Sequence, residues 1–205
     1  MESIRQIFRI GRGPSSSHTM GPLRAATMFL ERGQENAARF EVTLYGSLAA
    51  TGKGHMTDQA VLEALEPVKP TTIIWEPKVF LPFHPNGMLF ESFDAKNEKL
   101  DSWNIYSIGG GTLANEEYNE QKTNQIYDMN TIADIQRWCE EHGLSYWEYV
   151  EKSEGSDIWD YLAEVWEVMQ EAIHRGLENE GVIPGGLGIR RKASDYLIRA
   201  QGYNA

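Results

Sequence analysis

Residues 40–75 read FEVTLYGSLAATGKGHMTDQAVLEALEPVKPTTIIW, and this stretch decides the fold. Residues 40–45 alternate apolar and polar side chains, which is typical of a half-buried strand. Residues 58–65 have helical spacing and end before Pro67, and residues 71–75 form a short run that favours a strand. A strand, a helix and a second strand in this order predict an α/β unit.

Further elements extend this unit in both directions along the chain. A helix is predicted to begin after Ser17-His18-Thr19 and to end at Gly33. The strand-like runs 79–83 and 88–93 flank His84-Pro85-Asn86-Gly87. Because Asn-Gly between two such runs is a strong turn signal, these residues predict a β-hairpin.

The remaining sequence sets the predicted domain boundaries. Residues 103–111 predict a strand that runs into a glycine turn, so residues 1–112 form a predicted α/β, sandwich-like domain. Residues 113–130 are polar and irregular and are predicted to be a linker. Residues 131–205 predict an acidic helical segment, with Thr131 as a candidate N-cap. The predicted fold class is therefore α+β.

The helical segment has three predicted long elements and a short final one. Helical spacing covers residues 132–139, 144–150 and 158–173, and it places the thiol of Cys139 on a buried face. Residues 184–188 (PGGLG) predict a turn before the final helix.

Composition and charge exclude several classes of protein. The chain of 205 residues has a formal net charge of −11, which argues against a broad nucleic-acid surface. The single cysteine excludes a disulfide framework, and it cannot supply a zinc or iron–sulfur site by itself. No apolar run approaches the roughly 18 residues of a membrane span, and the N-terminus has no signal-peptide pattern. The composition therefore predicts a cytoplasmic protein without a membrane or nucleic-acid partner.

The segment Gly11–Thr19 is the first that could carry chemistry. Three hydroxyls and an imidazole lie where a helix is predicted to begin, and such a terminus suits a carboxylate or phosphate. The alternative is that Ser17 or Thr19 only caps the helix. The pattern alone leaves both interpretations open.

Three further loops contain candidate residues, each with a structural alternative. Residues 52–58 (GKGHMTD) place His55 in a glycine loop, where it is either a base or an exposed side chain. His84 precedes a proline and is either aimed at a ligand or part of a hairpin. The glycines of residues 107–111 (SIGGG) offer either close backbone contact with a ligand or a flexible turn.

The positions of the histidines favour one shared site. His18, His55 and His84 all lie in loops beside glycine, proline, serine or threonine, whereas His142 and His174 lie in helical sequence. A zinc site of three histidines is an alternative that no spacing selects.

Four segments in this order resemble the bacterial iron–sulfur L-serine dehydratases, also called L-serine ammonia-lyases. These segments are GPSSSHTMGPLRAA, YGSLAATGKGHMTD, FHPNGM and YSIGGG. The resemblance is to single-chain members and extends over nearly the whole chain. It implies a β domain similar to the allosteric substrate-binding domain of some phosphoglycerate dehydrogenases, and it identifies VIPGGLGIRRKA with the start of the catalytic α domain.

The resemblance also implies an activity, a cofactor and residue roles. Family members convert L-serine to pyruvate and ammonia with a [4Fe–4S] cluster as Lewis acid, and without pyridoxal phosphate. By this resemblance His55 and His84 are the acid/base histidines, without an assignment of which one is the base, and Thr57 fixes the loop that carries His55. The residues implied to bind or shape the substrate pocket are Ser15, Ser16, Ser17, His18, Thr19, Asn86, Gly109, Gly110 and Gly111.

One feature departs from the family pattern. A [4Fe–4S] cluster needs about three or four cysteines, whereas this chain has Cys139 alone. We therefore expect the chain to be part of a longer enzyme, inactive alone and holding no cluster or other metal itself. A homodimer and contact with an α domain are also expected, and the alternative function is a non-catalytic module that binds an amino acid.

Overall fold

A computed structural model of the chain describes residues 1–119, 125–184 and 188–202. These residues divide into two compact units. Residues 11–119 form the first, called here the sheet unit. Residues 1–10, 125–184 and 188–202 form the second, called here the helical unit.

Five strands form one mixed sheet in the sheet unit. The strands are β1 (Arg39–Tyr45), β2 (Thr71–Glu76), β3 (Gly87–Phe93), β4 (Lys99–Gly109) and β5 (Thr112–Ala114). Their order is β2-β1-β3-β4-β5; β1 and β2 are parallel, and the other neighbouring pairs are antiparallel. The two strands predicted within residues 40–75 are therefore confirmed.

Three helices cover one face of this sheet. They are α1 (Gly21–Leu30), which continues from a π-helical turn at Ser16–Met20, α2 (Gly46–Thr51) and α3 (Thr57–Leu65). Alternate residues of the central strands point towards these helices because strand side chains have a period of two. The core joins Phe40, Val42, Leu44, Met88, Phe90 and Ile105 of the sheet to Ala26, Phe29, Val61 and Leu65 of the helices.

The predicted hairpin at residues 84–87 is wrong. Residues 79–86 form no strand, and β3 pairs instead with β1 on one side and β4 on the other. The carbonyl oxygens of Val79 and Pro85 accept hydrogen bonds from Gly46 and Ser47. The segment before β3 therefore bonds to the start of α2 and is not available for a ladder with β3.

The boundary predicted at residue 112 falls inside a strand. Leu113 and Ala114 lie in β5 and are fully buried, so the proposed linker 113–130 begins within the sheet. Residues 1–10 belong to the helical unit, where Glu2 forms a β-bridge with Gln125. Residues 120–124 of that linker lie outside the described residues.

The helical unit contains four α-helices in its described residues. They are α4 (Ile132–His142), α5 (Tyr146–Glu154), α6 (Ile158–Glu178) and α7 (Ala193–Ala200). The N-cap predicted at Thr131 is confirmed, since its side chain accepts a hydrogen bond from the amide of Asp134. Cys139 is buried, as predicted, in a small core with Tyr127, Ile135 and Tyr149.

The carboxylate of Glu154 fastens the N-terminus within this unit. Its side chain is 2% exposed and accepts hydrogen bonds from the Ser3 hydroxyl, the Ile4 amide and the Tyr127 hydroxyl, all at 2.7 Å. Such bonds to an ionised group are stronger than neutral ones. They hold the first residues of the chain against α5.

Two further predictions from the sequence were a turn at residues 184–188 and the absence of a membrane-spanning helix. Of the turn predicted at residues 184–188, residues 185–187 lie outside the described residues. In the described ranges, no helix combines the length and the apolar character that a membrane span needs.

Candidate functional site

The loop before α1 is ordered by its own serines. The hydroxyl oxygen of Ser15 accepts a hydrogen bond from the His18 amide at 3.2 Å, which makes Ser15 the N-cap of the π-helical turn. The alternative in which Ser17 or Thr19 caps the helix is therefore wrong, because Ser15 is the capping residue. Binding of a carboxylate or phosphate at this loop stays a prediction. Ser16 is exposed and takes no part in these contacts.

Both nitrogens of the His18 ring lie next to serine hydroxyls. Nδ1 is 2.9 Å from the Ser17 Oγ, and Nε2 is 3.2 Å from the Ser47 Oγ. Burial lowers the pKa of His18, and the neighbouring His55 lowers it further, while a hydrogen bond with the Ser47 backbone opposes both effects. The ring is therefore biased towards its neutral form near pH 7.

Two threonines join the loop of His18 to the loop of His55. The Thr19 hydroxyl donates to the His55 carbonyl oxygen at 2.9 Å, and the Thr57 hydroxyl donates to the His18 carbonyl oxygen at 2.6 Å. Both threonines are fully buried. They fix the two backbones against each other, and this geometry gives Thr57 a positioning role.

These bonds bring the rings of His18 and His55 together. Their centroids are 4.8 Å apart, and the ring planes are inclined by 54°. In the described part of the chain, the ring nitrogens of His55 form no hydrogen bond, and this side chain is half-buried.

The turn before β3 holds His84 and Asn86. The Asn86 amide donates to Nδ1 of His84 at 3.1 Å, and the Asn86 side chain donates to the Ser107 carbonyl oxygen at 3.1 Å. Burial lowers the pKa of His84. Because Nδ1 accepts a hydrogen bond, neutral His84 carries its hydrogen on Nε2 and offers a donor.

Ser47 connects the turn of His84 to the loop of His18. Its amide donates to the Pro85 carbonyl oxygen at 3.1 Å, and its hydroxyl meets the His18 ring. Gly46 permits this contact: its φ is +49°, and a Cβ there would lie 2.5 Å from the Pro85 carbonyl oxygen. The structure thus links all three loop histidines.

The glycine turn at Gly109–Gly111 lies where β4 meets β5. All three glycines have positive φ, at 114°, 59° and 75°, which explains why glycine occupies each position. Arg24 of α1 donates to the Gly111 carbonyl oxygen. The turn is linked to the site through Ser107, whose amide donates to the Asn86 carbonyl oxygen at 3.1 Å.

Sequence reasoning did not single out Ser47 or Ser107. Both lie inside segments already quoted for other residues, and neither belongs to a motif with a known mechanism. The available signal for Ser47 was Gly46-Ser47 directly after an alternating strand, where the chain must turn.

An iron–sulfur cluster does not fit the residues of this chain. The described residues contain no group of three or more His, Cys, Asp or Glu side chains that could hold a metal ion. Cys139 is buried in the helical unit, where its thiol donates to the Ser145 carbonyl oxygen at 3.7 Å.

The fold and the site together define an α+β domain that presents serine, threonine and histidine loops beside a mixed sheet. Comparison with known proteins gives this class a family. A family model described as serine dehydratase beta chain matches residues 3–76 and 68–118. The chain belongs to the serine dehydratase beta chain family.

Individual relatives agree with this result. The L-serine dehydratase of Streptomyces coelicolor is 32% identical over 98% of this chain and 55% of its own length. L-serine dehydratase 2 of Escherichia coli is 33% identical over 95% of this chain and 53% of its own length. The L-serine dehydratase of Haemophilus influenzae is 32% identical over 98% of this chain and 54% of its own length. The chain thus spans about half the length of the curated relatives it matches.

Proposed function

We propose that this chain carries the substrate-binding loops of an L-serine dehydratase, a lyase that converts L-serine to pyruvate and ammonia. The observation that carries the proposal is the linkage of His18, His55 and His84 by Ser47, Thr19 and Thr57. The [4Fe–4S] cluster implied by the family would be held by residues outside this chain, in an α domain that the chain contacts. Pyridoxal phosphate takes no part.

The three histidines take different roles because their nitrogens are differently occupied. Both nitrogens of His18 face serine hydroxyls, so this ring is a fixed part of the pocket wall. His84 offers its Nε2–H, which suits it to donate a proton to the departing hydroxyl group of L-serine. His55 is left as the base that takes the α-proton from the substrate carbon.

The remaining candidate residues bind the substrate or shape its pocket. The exposed hydroxyl of Ser16 supplies a donor for the substrate carboxylate, while Ser15 and Ser17 shape the loop around His18. Thr19 and Thr57 hold the two histidine loops against each other. Asn86 fixes His84, and the Gly109–Gly111 turn allows the backbone close to the ligand.

Binding of L-serine tests the first part of the proposal. Calorimetry should show that the whole chain binds L-serine, and His84→Ala should weaken or abolish that binding. His174→Ala is the matched control, because its side chain is 78% exposed on α6. No L-serine binding by the unmodified chain would overturn the proposed function.

Complementation tests the catalytic part. The chain incubated with iron and sulfide under argon should form no pyruvate alone, and turnover would contradict this expectation. Adding the part of the Streptomyces coelicolor relative that lies outside the alignment should restore pyruvate formation, and His55→Ala should remove it. Binding of L-serine with no gain on complementation would favour a regulatory amino-acid-binding module instead.

Assembly and location remain predictions. We propose a homodimer, in which α6 is a candidate surface because Trp166 and Ile173 are 56% and 54% exposed. Light scattering should give twice the chain mass of 23.3 kDa, and a monomer at micromolar concentration would contradict it. A cytoplasmic location is likewise proposed from the metabolic role.

A further inference from the structure

Ser47 is the residue through which two loops of the site meet. It lies in the first turn of α2, directly after β1. Its Oγ is 3.2 Å from Nε2 of His18, and its amide donates to the Pro85 carbonyl oxygen at 3.1 Å. One residue therefore contacts the loop of His18 with its side chain and the turn of His84 with its backbone.

The fold holds Ser47 in place on both sides. The positive φ of Gly46 turns the chain from β1 into α2, and a side chain there would collide with Pro85 and Phe80. The Ser47 carbonyl oxygen accepts a hydrogen bond from the Thr51 hydroxyl at 2.9 Å. The hydroxyl of Ser47 thus meets the His18 ring from a fixed backbone.

The serines around His18 allow two arrangements of protons, one for each neutral tautomer of the ring. A neutral imidazole has one N–H and one lone pair, so one neighbouring serine donates to it and the other accepts. The Ser15 oxygen already accepts the His18 amide, and its own proton has the Ser17 Oγ as a neighbour at 3.5 Å. In the arrangement where Ser15 donates to Ser17, Ser17 donates to Nδ1, and Nε2–H is left to donate to Ser47.

We propose that Ser47 is a positioning residue whose hydroxyl accepts the Nε2–H of His18 and thereby fixes the tautomer and orientation of that ring. Its amide holds the turn of His84 at the same time. The consequence for L-serine binding rests on the proposed function, whereas the consequence for the His18 tautomer does not.

Loss of the Ser47 hydroxyl should release the ring. In Ser47→Ala, Nε2 loses the hydroxyl and keeps only the Ser47 backbone beside it, so His18 should populate both tautomers and change its orientation beside His55. Affinity for L-serine should fall about threefold to tenfold, the effect of one lost hydrogen bond. The backbone amide at this position would still bond to Pro85 in the variant, so the turn of His84 should be retained.

Nitrogen-15 NMR of the imidazole groups is the direct test. The unmodified chain at pH 7.5 should show His18 as the Nε2–H tautomer, Ser47→Ala should show a mixture, and Ser47→Thr should restore the single tautomer. Thr27→Ala removes an exposed hydroxyl from α1 and should leave the His18 spectrum unchanged. A Nδ1–H tautomer in the unmodified chain, or an unchanged tautomer in Ser47→Ala, would overturn the proposal.

Calorimetry separates failure of this role from failure of the proposed function. If the unmodified chain does not bind L-serine, the proposed function fails, while a tautomer change in Ser47→Ala still supports positioning. If the chain binds L-serine and Ser47→Ala binds it equally well, Ser47 does not position the pocket. Should Ser47→Ala not fold, Ser47→Cys keeps similar volume with a weaker acceptor, and it must show the same tautomer mixture.

Discussion

The hydroxyl of Thr57 donates to the carbonyl oxygen of His18 at 2.6 Å, across 39 positions of sequence. Thr19 makes the converse bond to the carbonyl oxygen of His55. The two threonines therefore form a reciprocal pair that joins the start of α1 to the start of α3. This pair sets the distance between the rings of His18 and His55.

Replacing Thr57 by valine should destabilise the chain by about 0.5–1.5 kcal/mol, because it removes one buried hydrogen bond at nearly constant shape. Urea unfolding measures the change. Thr27→Val is the matched control, since that hydroxyl is exposed and its loss should cost less than about 0.5 kcal/mol. Equal effects of the two substitutions would show that the Thr57 bond contributes nothing.

Gly21→Ala should destabilise the sheet unit by about 1–3 kcal/mol through overpacking. The backbone of Gly21 is helical, but a Cβ there would lie 2.3 Å from the Ser107 Oγ and 2.9 Å from its Cβ. The second substitution Ser107→Gly should recover part of the loss, because it removes both atoms. Thermal unfolding of the single and double variants measures this coupling.

Gly176→Ala is the control for Gly21→Ala, because it adds a methyl group to a helical glycine that has space around it. Gly176 lies inside α6, and a Cβ there would meet no atom within 4 Å. Alanine should therefore stabilise the helical unit by about 0.5–1 kcal/mol, the difference in helix propensity. If both glycine substitutions stabilise their units, the packing of Gly21 against Ser107 is not as described.

Glu154→Gln should destabilise the helical unit by about 1.5–3 kcal/mol, the range for a hydrogen bond to a charged group. An amide would present two donors where the carboxylate now accepts from Ser3, Ile4 and Tyr127. The N-terminal residues should lose amide-exchange protection in this variant. Glu164→Gln is the control, since Glu164 is exposed on α6, and a similar loss there would contradict the interpretation.

Stability should fall as the pH is lowered from neutral. Burial holds the pKa of His18 and of His84 below the ordinary value of 6.5, so the unfolded chain takes up protons first. The free energy of unfolding should therefore decrease as the pH falls through about 6.5, and this contribution should level off below the folded pKa values. The hydrogen bond with Arg32 lowers the pKa of Asp101. Protonation of Asp101 therefore reduces the free energy of unfolding only at a more acidic pH than protonation of the histidines.

Urea unfolding at several pH values tests this dependence. The double variant His18→Asn, His84→Asn should flatten the curve between pH 7.5 and about 5.5, while the exposed His174→Asn should leave its slope in place. A slope that survives the double variant would assign the pH dependence to other groups.

Local sequence patterns were sufficient to predict most of the helices and strands. Alternation in residues 40–45 predicted β1, helical spacing predicted α3 and α6, and Thr131 predicted the start of α4. These succeeded because strand and helix periodicities and capping bonds are set by residues a few positions apart. The four loop segments likewise sufficed to indicate the family, which the comparisons then showed.

Pairing and bonding between distant residues were decided by the tertiary structure. Asn86-Gly87 predicted a hairpin, but β3 pairs with β1 because the core places Met88 and Phe90 beside Val42 and Leu44. The sequence placed His18, His55 and His84 in loops, yet only the packed chain shows which nitrogens are occupied. Ser47 is an example: it contacts His18 and Pro85, which lie 29 and 38 positions away in the sequence. No local sequence pattern encodes such contacts.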